Sequence, residues 1–144
     1  MGKDSSIVRK LVAVTAVVAL FAATAALAAT QHATGTFKGK TSQRENISLD
    51  VGPTAVRSGT LWVRVTCVRN GRRRTLRDHA SVSGNIPINA NGTFGARQKT
   101  TNGKFELRIA GQIVGRRASG RYSEQFTGRE GTCRSGRVTW RVKR

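Results

Sequence analysis

From Gly35 onwards the chain alternates apolar and polar residues with a period of two, in short runs broken by glycine-bearing dipeptides. Ile47, Leu49 and Val51 alternate with Asn46, Ser48 and Asp50; Leu61, Val63, Val65 and Cys67 alternate with Trp62, Arg64 and Thr66. Phe105, Leu107 and Ile109 alternate with Lys104, Glu106 and Arg108. Val138, Trp140 and Val142 alternate with Arg137, Thr139, Arg141 and Lys143. Successive side chains of a strand point to opposite faces, so such runs build a sheet with one buried face and one wet face. Asn70-Gly71, Asn91-Gly92 and Asn102-Gly103 reach positive φ at low cost, as tight hairpins require. Ser58-Gly59, Ser83-Gly84, Ser119-Gly120 and Ser135-Gly136 are weaker turn marks. The pattern predicts about eight or nine strands, near 33–40, 46–51, 61–69, 73–80, 85–89, 93–99, 103–114, 117–127 and 137–143. Gly111 and Gly115 predict a bulge or bend around Ile113, and residues 126–132 a loop. The expected fold is all-β, an antiparallel β-sandwich or a flattened β-barrel.

The N-terminus differs. Residues 1–10 are polar and net basic, and Leu11 to Ala29 is free of charge and dominated by Ala, Val and Leu. Ala26-Leu27-Ala28 is a small-x-small site, so residues 1–28 are expected to be a secretory signal helix cleaved before Ala29. The alternative is a membrane anchor through the same segment left uncleaved. Residues 29–144 then form a single domain, expected to be secreted and monomeric. Removing the signal takes away three basic residues and one acidic residue, so the net charge falls from +19 to +17.

Cys67 and Cys133 are the two cysteines of the chain, and an exported even pair predicts one disulfide. It would tie a central strand to the segment that launches the last one. Trp140, on an inward position, is expected in the core. Trp62 is on the outward set, as a cover for the sheet edge or an exposed ligand contact.

Gly35-x-Phe37-x-Gly39-x-Thr41-Ser42-Gln43 opens this domain, Gly92-x-Phe94 and Ala118-x-Gly120 lie within it, and Cys133-x-Ser135-Gly136-x-Val138-x-Trp140 closes it. This set resembles a group of small secreted actinobacterial proteins with no known activity. The resemblance covers most of the domain and implies a secreted all-β fold; it carries no active site. It leads us to expect glycine after Thr41-Ser42-Gln43, where this chain has Arg44.

No motif predicts catalysis. Gly35 to Thr41 ends like a phosphate-binding loop, but it is one residue short and no helix pattern follows. Asp78 and His79 are adjacent on a strand and so point to opposite faces. His32 and His79 lie far apart and the cysteines are spent on a disulfide, so no metal or cofactor is expected. The acidic residues Glu45, Asp50, Asp78, Glu106, Glu124 and Glu130 are scattered. Glu124 shares parity with Ala118, Gly120, Tyr122 and Phe126; a bulge turns it out, or it is buried and paired with an arginine. Asn46-Ile47-Ser48 and Asn91-Gly92-Thr93 match a glycosylation triplet that is frequent by chance.

Function therefore rests on charge. Arg69, Arg72, Arg73 and Arg74 frame the Asn70-Gly71 turn, and Arg134 and Arg137 flank Cys133. A bond between the cysteines would draw these groups together, with Arg141 on the last strand beside them. The expectation is a non-enzymatic anion-binding patch of these seven arginines. Export would set it against a cell-wall polymer, an acidic polysaccharide or anionic lipid at the cell envelope. Few aromatics are free to stack bases, which argues against nucleic acid, and no stable protein partner is implied. The alternatives are an envelope-associated structural protein with incidental basic charge and, remotely, an enzyme with an unfamiliar site.

Overall fold

The computed structural model describes residues 31–144; the expected signal segment lies outside the described residues. The described chain is all-β: β1 (Gly35–Thr41), β2 (Asn46–Val51), β3 (Ala55–Arg69), β4 (Arg72–Pro87), β5 (Thr93–Lys99), β6 (Phe105–Val114), β7 (Arg117–Gly128), β8 (Gly131–Arg134) and β9 (Val138–Lys143). Every pairing between them is antiparallel. The circuit β3-β2-β1-β9-β7-β8 returns to β3 and closes a six-stranded barrel. β4 adds outside β3, and β6 and then β5 add outside β7. Between a sandwich and a barrel, the closure by β8 decides for the barrel.

The inward set of each strand fills the interior. Phe37, Leu49, Leu61, Val63, Val65, Leu107, Ile113, Tyr122 and Trp140 are buried in one apolar cluster. Trp140 lies in it because Gly111 and Gly120 make room: a Cβ on Gly111 would sit 2.6 Å from the indole, and one on Gly120 would collide with the indole and with the carbonyl of Ala110. Gly111 pairs in regular register with Phe94 and Gly120, so it serves packing and makes no bulge. Gly115, at φ 57°, turns the chain from β6 into β7.

Two predicted strands are one. β4 runs without a break through Ser83-Gly84, where positive φ at Gly84 and Asn85 accompanies a register shift opposite Val56 to Ser58. The dipeptide is a bulge inside a long strand rather than a turn between short ones. Ser58-Gly59 likewise lies inside β3. The predicted loop at 126–132 is the end of β7, a tight turn and the start of β8, with Thr127 opposite Thr132 and Gly128 opposite Gly131. Asn70-Gly71 is a two-residue hairpin with positive φ at both residues, as expected. Arg44 has φ 62°, the left-handed conformation in which glycine is at ease.

Cys67 and Cys133 face each other in register on β3 and β8, bonded and with Cα atoms 3.9 Å apart. The bond holds β8, the shortest strand of the closed circuit, against β3.

Candidate functional site

The disulfide aligns the arginine-bearing segments, and the pleat then separates them. Arg69, Arg72 and Arg74 lie on the same sheet face as Cys67, because Arg69 opposes Arg72 and Cys67 opposes Arg74. They line a cavity of about 500 Å³ together with Asn70 and Glu130. There Arg69 donates to the carbonyl of Arg129 at 2.7 Å, and Arg74 pairs with Glu130 at 3.4 Å. Arg73 opposes Val68 and Arg134 opposes Thr66, which places both on the opposite face. Arg134 lines a separate cavity with Glu106 and Arg108. Arg137 is exposed in the segment before β9. Arg141 sits in a third place, on the outside of β9, in a groove of its own.

That groove, of about 550 Å³, crosses the outer face of β1, β9 and β7. Its charge follows from register. Lys38 on β1 opposes Lys143 on β9, and Lys143 opposes Arg117 on β7. One step along, Lys40 opposes Arg141, which opposes Ser119. All five cations are exposed. Directly opposed residues have Cβ atoms about 5 Å apart, and residues two apart on a strand lie about 7 Å apart. The result is a lattice of positive charge roughly 10 Å across the strands and 7 Å along them.

Like charges placed this way repel, by somewhat under 1 kcal/mol for each adjacent pair in water before screening. Elsewhere, six arginines are ion-paired: Arg57, Arg64, Arg74, Arg77, Arg97 and Arg108. Glu45 takes Arg64 at 3.1 Å and Arg77 at 3.0 Å, and Glu106 takes Arg108 at 2.6 Å and Arg97 at 2.9 Å. Burial pushes Glu45 up, but its two arginines outweigh that and hold it below the ordinary carboxyl range. Arg108, then Arg97, hold Glu106 low in the same way. Asp50 faces Arg57 at 3.7 Å. Among the described residues, no ion pair involves Lys38, Lys40, Arg117, Arg141 or Lys143. Lys40 finds only the side-chain oxygen of Asn46, at 2.6 Å.

No protein-family model, curated protein or solved structure matches this chain. The site has to be judged on its geometry.

A second polar group lies inside the barrel. Tyr122 donates to Glu124 Oε2 at 2.6 Å, and Glu124 is 4 % exposed. The expected arginine partner is absent because Arg108 of β6 and Arg117 and Arg121 of β7 fall on the outer set. Burial and the negative charge of Asp78, reaching in from β4, push Glu124 up to about 7, against the pull of the Tyr122 hydrogen bond. Burial and the same carboxyl groups raise Tyr122. Glu124 Oε1 lacks a donor partner; carrying a proton, it becomes a donor to Asp78. His79 points the other way and packs on Trp62 with ring centroids 4.7 Å apart. His32 meets the carbonyl of Gly52 at 3.0 Å. Among the described residues, no three His, Cys, Asp or Glu side chains are placed to hold a metal ion.

Of the seven arginines singled out by sequence, only Arg141 lies on the cationic groove. Lys38, Arg117 and Lys143 join it, and Lys40 lies beside it, opposite Arg141. Alternation already puts Lys38 and Lys40 on the wet face of β1; what sequence lacked was the adjacency of the first and last strands.

Proposed function

We propose that the chain is a secreted, non-enzymatic binder of an anionic polymer or surface, and that it binds through the outside of β1, β9 and β7. One observation carries this reading: five exposed cations oppose one another across three strands with no carboxylate among them. That arrangement costs the fold repulsion that a bound anion would relieve. Arginine and lysine there offer forked and point donors to phosphate, sulfate or carboxylate. The disulfide is compatible with an extracellular location, where anionic polymers of the envelope are the partners within reach.

The rival is a structural envelope protein whose charge is incidental. Retention on an anionic resin as salt is raised separates the two. Lys38→Gln/Arg141→Gln/Lys143→Gln should elute at much lower salt than the native chain, with a melting temperature no lower than native, since the opposed like charges are relieved. Arg72→Gln/Arg73→Gln/Arg134→Gln removes the same charge elsewhere and should elute close to native. Equal losses from the two triple variants would mean that net charge alone governs retention, and the reading would fail.

A further inference from the structure

The cationic groove does not stop at β1. A second groove, of about 320 Å³, shares Lys38 and Gly39 with it and continues over β2 to Trp62 on β3. Its walls are neutral: Asn46, Ser48 and Thr60 line it beside the indole. The register puts these groups in order across the strands, with Thr60 opposite Ser48, Ser48 opposite Lys38, and Lys38 opposite Lys143. A single surface track thus begins with an aromatic ring, passes short hydrogen-bonding side chains and ends among cations.

Trp62 is half-buried and packed against two side chains of β4. The guanidinium of Arg77 lies 4.3 Å from the indole centroid, and Arg77 Nε donates to Glu45 Oε2 at 3.0 Å. His79 packs against the same ring system. A ring fixed before the ligand arrives loses little freedom on binding.

We propose that the ligand of this face is an acidic glycan, with one sugar ring laid against Trp62 and its anionic groups on Lys38, Lys40 and Arg141. The inference rests on the anion-binding reading above and narrows it. Each unit of an acidic polysaccharide offers an apolar ring face, hydroxyls and an anionic group, which are the three chemistries the track presents. Trp62 and Lys40 lie two strands apart, roughly 10 Å, so ring and anion can be engaged by one short stretch of polymer. Polyphosphate would use the cations and leave Trp62, Asn46 and Thr60 idle. Single-stranded nucleic acid needs successive stacking platforms. The other described aromatics are buried in the core or packed against it, so Trp62 stands alone on this face.

The test titrates the chain with polygalacturonate and, separately, with inorganic polyphosphate at equal ionic strength, following heat and intrinsic fluorescence. Trp140 is buried, so a ligand-dependent change in indole emission reports on Trp62. The glycan should perturb the emission. Trp62→Leu should weaken glycan binding on the order of tenfold, the value of covering roughly 50 Å² of apolar ring, and spare polyphosphate. Trp62→Phe keeps a ring and should retain most of the affinity. If Trp62→Leu fails to fold, Thr60→Ala carries the same selective loss on a smaller scale.

Equal effects of Trp62→Leu on both ligands, or none on either, would overturn the glycan assignment while leaving the anion-binding reading intact. Tighter, Trp62-dependent binding of single-stranded DNA would overturn it in favour of nucleic acid. Failure of both polyanions to bind the native chain would overturn both proposals.

Discussion

Glu124→Gln should make the protein more stable at alkaline pH and leave it unchanged in acid. Glu124 lies inside the barrel with its pKa raised from 4.5 to about 7 by burial and the charge of Asp78. The folded state therefore keeps a proton that the unfolded chain releases above 4.5. Unfolding free energy falls as pH rises from about 4.5 to about 7, and this contribution is level above and below that window. The difference between the two pKa values is worth about 3 kcal/mol at most. Glutamine is neutral throughout; its oxygen accepts from Tyr122 and its amide donates to Asp78, the bonds made by the protonated acid. Urea unfolding of both proteins between pH 4 and 9, followed by tryptophan fluorescence, isolates the effect as a difference curve. Glu45 and Glu106, held low by their arginines, contribute an opposite slope in acid, but equally in both proteins. The variant should match native near pH 4 and exceed it by about 2–3 kcal/mol at pH 8. A difference that does not change with pH would refute the reasoning, because it would mean that Glu124 does not hold its proton in the fold.

Other expectations concern the frame around the site. The disulfide spans 66 residues of sequence, so Cys67→Ser/Cys133→Ser should cost about 4 kcal/mol in chemical denaturation. That is a large part of the stability expected of a domain this size. Gly120→Ala should destabilise by about 3 kcal/mol, since its methyl group would meet the indole of Trp140 and the carbonyl of Ala110. Calorimetric melting checks it, and a melting temperature within a degree of native would contradict the packing described. Arg44→Gly should raise stability by up to about 1 kcal/mol by relieving the left-handed backbone at φ 62°, less the entropy that glycine adds to the unfolded chain.

Alternation carried most of the fold into view. Leu61, Val63, Val65 and Cys67 declare the inner face of β3 without any structure, and Asn70-Gly71 declares its hairpin. Three features were hidden for physical reasons. Ser83-Gly84 has the composition of a turn, and only the pairing of β4 with both ends of β3 shows it to be a bulge. β8 has four residues and one buried apolar side chain, Cys133, which is too short for any period to register. The site was the least legible part. Local pattern tells which way Lys38, Lys40, Arg117, Arg141 and Lys143 point, but their proximity is a matter of strand order. The arginines around the cysteines were visible as a cluster along the chain. The pleat of β3, β4 and β8 then sends them to opposite faces, which charge counting cannot foresee. Glu124 was legible as an inward acid. Its partner was not, since Tyr122 lies two residues away on the same strand and Asp78 reaches in from β4.

The measurement that bears most directly on the cationic face is the salt dependence of polyanion binding by the native chain and by Lys38→Gln/Arg141→Gln/Lys143→Gln. Five engaged cations predict a slope of log affinity against log salt of about −3.5 on a flexible polyanion, and removing three should bring it to about −1.5. A slope that stays the same in the variant would contradict the account, because the bound anion would then be resting on some other part of the surface.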